Sequence, residues 1–196
     1  MSRNVAGAAA LLAVAACMAL ALATAGVASA RAQDARSGGA HAAHAGADSR
    51  FAAEAAMGGM EEVELGRMAA EKGATDEVRQ FGRRMVEDHS KANEELTRLA
   101  AEKGWALPSS LDAKHRADVE KLAPLAGEAF DRAYVKMMLA DHKKDVGEFQ
   151  RQSERGPDAE LKAFATRTLP TLREHLRMIQ RISDKMALRR SGHLRR

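Results

Sequence analysis

The chain has 196 residues and a net charge of only +4, which is the balance of 31 basic and 27 acidic side chains. Aromatic residues make up 4% and charged residues 30% of it, a composition that favours helices over sheets. The dense basic runs are Arg189-Arg190 and Arg195-Arg196, both at the C-terminal end. Nucleic-acid binding requires a clustered basic face, so we expect no nucleic-acid partner.

The first 30 residues have the pattern of a secretory signal peptide. Arg3 supplies the positive start, an apolar run covers Val5 to Leu22, and Ala28-Ser29-Ala30 supplies small residues for cleavage. We therefore predict a mature protein that begins at Arg31, is exported to the periplasm and has no transmembrane helix after cleavage.

Two alternatives concern the same segment. The apolar run is just long enough to span a bilayer, so it could be retained as an N-terminal anchor. Val14-Ala15-Ala16-Cys17 resembles a lipoprotein box, which would make Cys17 a lipidated residue. Cys17 is the single cysteine of the chain, so cleavage after Ala30 leaves no disulfide, thiol nucleophile or thiolate metal ligand.

The rest of the chain predicts a tether, a helical domain and a tail. Residues 31–48 are rich in Ala, Gly and His without periodicity, which is typical of a disordered tether. Residues 49–187 carry four helical patterns, and residues 188–196 predict a basic, frayed tail. We expect the four helices to run from Asp48 or Ser49 to Lys72, from Asp76 to Lys103, from Glu128 to Arg155, and from Asp158 to Ala187.

The connections between these helices predict how they are arranged. The short turns near Gly73 and Gly156-Pro157 make two antiparallel hairpins. The connection from Trp105 to Gly127 is long, contains a short predicted helix from Leu111 to Leu122, and can cross the length of the bundle. The predicted fold class is therefore all-α: a ferritin-like four-helix bundle whose two hairpins are joined by a long crossover.

A histidine interrupts the apolar stripe of three of these helices. His89, His142 and His175 lie near the middle of the second, third and fourth helices, and Glu62 lies near the middle of the first. Residues at the centres of antiparallel helices share one layer. Three imidazoles and one carboxylate suit a divalent transition metal such as zinc, iron, copper or manganese, so we predict one metal site at these four residues.

Acidic residues precede all three histidines, namely Asp88, Asp141 and Glu174. Because adjacent helical residues point about 100° apart, we expect these acids to support the histidines and not to share their layer. The alternative to metal binding is a buried polar network in which histidines and acids pair and fix the helix register.

Other chemistries have less support in the sequence. Di-iron carboxylate proteins use a Glu-x-x-His motif on two helices, but Val86 and Leu172 stand three residues before His89 and His175. Met85 and Met138 each lie four residues before a histidine, which leaves a mixed Met/His copper site as a minor alternative. We predict no catalytic residue, and enzyme activity stays an open alternative because it requires an open coordination position.

Four segments carry a resemblance to a known family: GGMEEVELGRMA from Gly58, FGRRMVEDH from Phe81, FDRAYVKMMLADHKKDVGEF from Phe130 and LPTLREHL from Leu169. Together they resemble the bacterial exported family called domain of unknown function 4142, over roughly Arg50 to Ala187. The resemblance implies a ferritin-like bundle exported to the periplasm or held at the envelope. The recurring histidines of the family correspond to His89, His142 and His175, and its first-helix glutamate to Glu62.

The leading hypothesis is an exported envelope protein that binds one divalent transition metal at these residues. The competing hypothesis is a structural or interaction module of the envelope whose histidines form a polar core network. Either hypothesis admits an envelope protein partner or a homo-oligomer, neither of which the sequence identifies.

Overall fold

A computed structural model describes residues 46–193 of the chain. The predicted signal peptide and nearly all of the predicted tether lie outside these residues. Regular structure within them is helical, apart from a single bridge between Gly73 and Gly127. The described helices are α1 (46–72), α2 (Asp76–Lys103), α3 (Ala113–Leu122), α4 (Gly127–Arg155) and α5 (Ala159–His193).

Local signals in the sequence define the ends of α2. The Thr75 side chain accepts a hydrogen bond from the Val78 N–H and so caps the N-terminus. Gly104 follows the last turn with φ of 68°, a left-handed conformation that costs glycine little, and its N–H bonds to the carbonyls of Ala100 and Ala101. The predicted bounds of α2, Asp76 to Lys103, are confirmed.

Contacts between the long helices establish an all-α four-helix bundle. Within the first hairpin α1 and α2 are antiparallel, because Gly59 lies beside Asn93 and Gly66 beside Gly82. The second hairpin pairs α4 with α5, and α5 runs antiparallel to α2: Arg167 binds Glu95 near one end, and Lys185 binds Glu77 3.3 Å away near the other.

The crossover makes α2 and α4 parallel, as predicted, because both run antiparallel to α1. Gln152 of α4 binds Asp48 at the start of α1, whereas Asp131 of α4 binds Thr75 just beyond the end of α1. The short helix α3 is capped by Asp112 and packs beside α1, where Lys72 donates to the Ala123 carbonyl oxygen at 2.7 Å. This is the connectivity of a ferritin-like bundle.

The two helices of the first hairpin approach most closely at a pair of glycines. A Cβ atom on Gly82 would lie 2.6 Å from the Gly66 carbonyl oxygen, and a Cβ on Gly66 would lie 2.8 Å from the Gly82 carbonyl oxygen. Neither contact is possible for a real side chain. The absence of side chains at both positions therefore lets the backbones of α1 and α2 come together one turn from Met85.

Each hairpin turn is held by an aspartate of the other hairpin. Asp131 of α4 is 1% exposed and accepts bonds from Ala74 N–H, Thr75 N–H and the Thr75 hydroxyl. In the other direction, Asp48 of α1 accepts from the Asp158 N–H at 3.0 Å and from Gln152 Nε2 at 2.9 Å. These two reciprocal aspartate contacts fasten the hairpins together at opposite ends of the bundle.

Three helix ends differ by two residues or more from the sequence-based expectation, and one of them is the start of α3, which lies at Ala113 and not at Leu111. The described part of α1 already includes residues 46 and 47. The Asp48 carboxylate accepts a hydrogen bond from the α4–α5 turn and therefore does not cap its own helix. At the other end, α5 continues past Ala187 to His193. Arg189 sits beside Glu77 of α2 at 3.7 Å, a contact that favours continuation of the helix. The predicted frayed tail is thus helical through His193.

The core consists of two apolar clusters, one on either side of the middle of the bundle. One cluster includes Leu65, Phe81 and Met138, and the other includes Leu96, Phe149 and Phe164. Buried polar residues at the mid-height of the helices separate them. Among the described helices, none combines the length and apolarity that crossing a bilayer requires.

Candidate metal centre

The structure brings all four predicted site residues together in the layer between the two apolar clusters. Glu62 comes from α1, His89 from α2, His142 from α4 and His175 from α5. Their exposed fractions are 4%, 7%, 0% and 1%, respectively. The imidazole centroids are 5.3 to 5.8 Å apart, so the three rings are in mutual contact.

One nitrogen of every ring is bound to an acceptor at the periphery of the cluster. His142 Nδ1 lies 3.0 Å from the Met138 carbonyl oxygen, which can only accept, so this nitrogen carries a proton. His89 Nδ1 lies 2.9 Å from Glu62 Oε2, and His175 Nε2 lies 2.9 Å from Asp88 Oδ2. These acceptors assign the N–H to the outer nitrogen of each ring.

The opposite nitrogens face one another without partners. His89 Nε2, His142 Nε2 and His175 Nδ1 are fully buried and have no hydrogen-bond partner among residues 46–193. One ligand atom from each of the three histidines lies within 4.8 Å of the others. An unsatisfied buried polar atom costs about 1–3 kcal/mol, so this arrangement is unfavourable unless something binds at its centre.

This arrangement suits a metal ion. Histidines that bind metals typically donate the N–H of the other nitrogen to a carboxylate or a carbonyl, which orients the ring and fixes its tautomer. All three histidines have such an acceptor, and the second nitrogen of all three is buried without a hydrogen-bond partner in the described structure. The buried histidine group could therefore hold a metal ion. Glu62 Oε1, which forms no hydrogen bond in the described structure, lies 3.5 Å from His142 Nδ1.

The charges within the cluster are divided between Glu62 and His89. Burial alone would raise the pKa of Glu62, but the positive charges of His89 and His142 and the hydrogen bond from His89 lower it to about 2. Burial opposes charge on His89 as well, yet Glu62 raises the pKa of this histidine. The pair thus favours a carboxylate beside a protonated imidazole.

The other two histidines favour the neutral state. Burial lowers the pKa of His142, and burial together with the positive charge of His89 lowers the pKa of His175 to about 4. Neutral imidazoles are the form that binds metals. Two of the three rings are consequently ready to act as ligands at neutral pH, and the third would have to give up one proton.

Aromatic side chains close one side of the cluster. Phe81 meets His142 and His175 edge to face, with centroids 6.0 and 6.3 Å away, and it also contacts Tyr134. The Tyr134 hydroxyl is buried without a partner in the described structure, and burial raises the pKa of this tyrosine well above its usual value. Water is excluded from this side, which strengthens electrostatic interactions within the cluster.

The acids that precede the histidines have different positions. Asp88 supports a histidine, but it is His175 on another helix and not the adjacent His89. Asp141 is half-buried, and Glu174 is exposed. Burial first, then the charge of Glu62, raises the pKa of Asp141 to about 6. Of the three acids, Asp88 alone is bonded to a histidine of the cluster.

Sequence reasoning missed Asp145. One oxygen of Asp145 lies within 4.8 Å of ligand atoms of Glu62 and His142, which makes a second group that could hold a cation. Burial and the charge of Glu62 raise the pKa of Asp145 to about 9. The sequence did contain a signal for Asp145, namely its position three residues after His142. Residues at this spacing lie on the same face of a helix.

A narrow cleft of about 30 Å³ adjoins the cluster and has room for one or two water molecules. Glu62, His89 and Asp145 line one part of it, and the small residues Gly58 and Ala92 are among those lining the rest. Several lining residues are half-buried, so the cleft leads from the cluster toward the surface.

A family model described as "Domain of unknown function (DUF4142)" matches residues 22–182, most of the chain. The chain belongs to this family. The resemblance to this family that the sequence motifs predicted is therefore confirmed. No curated protein matches the chain significantly.

Two solved structures share the fold of this DUF4142 protein. A DUF305 fragment from Deinococcus radiodurans aligns with a TM-score of 0.62 at 14% identity, covering 70% of this chain and 95% of the fragment. A DUF305 protein from Streptomyces coelicolor, described as secreted, aligns with a TM-score of 0.56 at 18% identity, covering 68% of this chain and 89% of that one. At these identities, the similarity concerns the fold alone.

Proposed function

We propose that this DUF4142 protein is an exported protein of the bacterial envelope that binds one divalent transition-metal ion through His89, His142 and His175. The observation that carries the proposal is the convergence of three buried, unpartnered imidazole nitrogens whose opposite nitrogens are all bound to acceptors. Glu62 is the fourth proposed ligand, through its unpartnered Oε1.

The donor set narrows the choice of metal. Neutral imidazole suits zinc, copper and iron, whereas manganese prefers a set dominated by oxygen. A site with three imidazoles and one carboxylate can satisfy a four-coordinate ion such as zinc. The chain would hold the ion in a layer that the apolar clusters shield from water, and Asp88 and Met138 would fix the orientation of two of the rings.

Export is part of the proposal and is supported by the N-terminal pattern. The signal segment lies outside the described residues, so its support comes from the sequence: a positive start, an apolar run and small residues at the cleavage positions. The Streptomyces coelicolor protein of the same fold is described as secreted. Cleavage after Ala30 places the mature protein in the periplasm, with Cys17 lipidation and a retained anchor as the alternatives.

The first test is the metal content of the mature protein, purified without a metal-affinity tag and measured by mass spectrometry. We expect about one equivalent of a single metal in the wild type, and none when His89, His142 and His175 are all replaced by Ala. The control is His115→Ala, which changes a histidine of α3 outside the cluster and should leave the metal content unchanged. Wild-type protein that contains no metal and binds no added zinc, copper, iron or manganese would contradict the proposal.

A single substitution tests the role of one ligand. His142→Ala should weaken metal binding at least about tenfold, because it removes one of three converging nitrogens. Isothermal titration of the metal-free protein with Zn²⁺ measures this change, and circular dichroism checks that the variant is folded. Unchanged affinity would remove His142 from the site.

The alternative function is a structural module whose histidines serve as a polar network. The bonds from His89 to Glu62 and from His175 to Asp88 favour it, since each joins two different helices. Under this alternative, His142→Ala lowers the unfolding free energy equally with and without metal. Thermal denaturation in the presence of Zn²⁺ and in the presence of a chelator distinguishes the two functions.

A further inference from the structure

The cleft beside the histidines reaches two carboxyl groups from different helices, Glu62 of α1 and Asp145 of α4. Glu62 Oε2 binds His89, whereas Oε1 is buried, forms no hydrogen bond among the described residues and lies 3.5 Å from His142 Nδ1. The carboxylate of Asp145 forms no hydrogen bond or ion pair with another residue of the described chain. The neighbouring Lys144 pairs with Glu148 instead.

These two carboxylates and the histidine cluster are adjacent. One oxygen of Glu62, one of Asp145 and a ligand atom of His142 lie within 4.8 Å of one another, and His142 also belongs to the group of three histidines. Glu62 and His89 line the cleft as well. A cation bound between the carboxylates would therefore lie next to the proposed metal centre, on the side that faces the cleft.

We propose that Glu62 and Asp145 form an entry site, a transient position for a divalent transition-metal ion on its way from the cleft to the three histidines. The inference rests on the proposed function. To that function it adds a role for Asp145, the route by which the metal ion enters, and the order in which the ion meets its ligands. Asp145 acts before the histidines and is not a ligand of the final site, whereas Glu62 is a ligand in both positions.

The chemistry of the two groups fits this order. A hydrated divalent cation exchanges its waters readily for carboxylate oxygens, whereas imidazole nitrogens hold transition metals more tightly. Glu62 supplies the negative charge at this position, and a cation that binds beside it displaces the proton of Asp145. Oxygens at the entrance and nitrogens at the end therefore make a gradient of affinity that leads inward.

The volume of the cleft suits an ion that has exchanged most of its waters for protein ligands. Its lining includes Gly58, Gly59 and Ala92, whose small size keeps the passage open. A Cβ atom on Gly58 would meet no other atom within 4 Å, so this position faces open space. On another side of the cluster, Phe81 packs edge to face against His142 and His175 and blocks access there.

The test is the rate at which the metal-free mature protein takes up Co²⁺, followed by stopped-flow absorption of the bound ion. Asp145→Asn should slow uptake at least about tenfold while the equilibrium dissociation constant stays within about threefold, because an entry site affects binding and release alike. The matched control is Asp141→Asn, which makes the same substitution on α4 at a residue that does not line the cleft. It should take up Co²⁺ within about twofold of the wild-type rate.

A second pair of variants tests the route independently of charge. Gly58→Leu should narrow the cleft and slow uptake, whereas Gly147→Leu puts the same side chain on α4 away from the cleft and should not. Circular dichroism verifies that all four variants are folded before uptake is measured.

The outcomes separate the two proposals. If Asp145→Asn takes up Co²⁺ at the wild-type rate, the entry site is wrong and the metal centre stands. A loss of affinity as large as the loss of rate would also overturn the entry site, since it would make Asp145 a permanent ligand. If the wild-type protein binds no Co²⁺, both proposals fail.

Discussion

At the scale of single residues, the position of each acceptor decides which histidine nitrogen is available inside the cluster. His89 and His142 present Nε2, because Glu62 and the Met138 carbonyl bind their Nδ1 atoms. His175 presents Nδ1 instead, because Asp88 binds its Nε2. For His89 and His175 the acceptor lies on another helix, so the available nitrogen cannot be read from the sequence around them. For His142 the acceptor is a carbonyl of its own helix.

Replacing Asp88 tests this dependence. Asp88→Ala removes the acceptor of the His175 N–H, so the ring loses its fixed tautomer and orientation; such changes typically weaken metal binding 10- to 100-fold. Competition titration with a Zn²⁺ indicator measures the affinity. The neighbouring Glu87 is exposed and pairs with Lys91, and Glu87→Ala should leave the affinity unchanged. Equal affinities for the two variants would contradict the role given to Asp88.

At the scale of helices, features set by neighbouring residues in the sequence were predicted correctly. Features set by contacts with another helix were missed. The ends of α2 follow from Thr75 and Gly104, which act on their own backbone, and the histidine layer follows from helical periodicity. The early start of α1 was missed because Asp48 binds the α4–α5 turn. Asp145 was missed because its significance depends on Glu62, which lies on another helix.

The close contact between α1 and α2 was likewise visible only in three dimensions, and it can be tested. Gly82→Ala would place a methyl group 2.6 Å from the Gly66 carbonyl oxygen, so the helices must separate. We expect a loss of about 2 kcal/mol or more in unfolding free energy. Gly147→Ala on α4 meets only the Arg151 guanidinium at 3.7 Å and should stabilise the protein by up to about 1 kcal/mol.

Urea denaturation of both variants measures the difference. The two substitutions make the same chemical change within a helix, so intrinsic helix propensity predicts the same stabilising effect for both. Similar stabilities for Gly82→Ala and Gly147→Ala would show that the hairpin does not depend on the close approach of its backbones.

At the scale of the whole molecule, Asp158 joins three of the four long helices. Its carboxylate caps α5 by accepting from the Leu161 N–H at 2.9 Å, and it pairs with Lys103 at the end of α2 at 2.7 Å. Its own N–H donates to Asp48 of α1. One residue at the α4–α5 turn thus fastens one end of the bundle.

The pH dependence of stability tests this junction. Burial alone would raise the pKa of Asp158, but the bonds from Lys103 and the Leu161 N–H lower it below its usual 3.8. A lowered folded-state pKa gives stability that is present above about pH 4 and is lost as the pH falls through the folded-state value. Asp158→Ala should therefore cost about 1–2 kcal/mol at pH 7, as expected for a helix cap, and progressively less below pH 4.

Chemical denaturation of wild type and Asp158→Ala at pH 7 and pH 3 measures this difference. Asp184→Ala is the control, because Asp184 is an exposed residue in the interior of α5 whose contact is with Gln180 on the same helix. A difference between wild type and Asp158→Ala that does not shrink on acidification would show that the ionised carboxylate is not what fastens the turn.

The reciprocal aspartate contacts reveal that the two hairpins are structural repeats. Asp48 and Asp131 each bind the turn of the other hairpin, and Thr75 and Asp158 each cap the second helix of their own hairpin. The number of residues between 48 and 131 equals that between 75 and 158. The same separation relates Glu62 to Asp145. It also relates Gly59 to His142 and Ala92 to His175, so small residues of the cleft occupy the places that imidazoles occupy in the other half.

Equivalent positions of the two hairpins carry Glu62 and Asp145, whose pKa values are shifted in opposite directions. Glu62 faces the half that is filled with imidazoles, and above all the positive charge and hydrogen bond of His89 hold its pKa at about 2 despite burial. Asp145 faces the hollow half, where burial and the charge of Glu62 raise its pKa to about 9. Under the two proposals, the filled half of this layer would hold the cation and the hollow half would admit it.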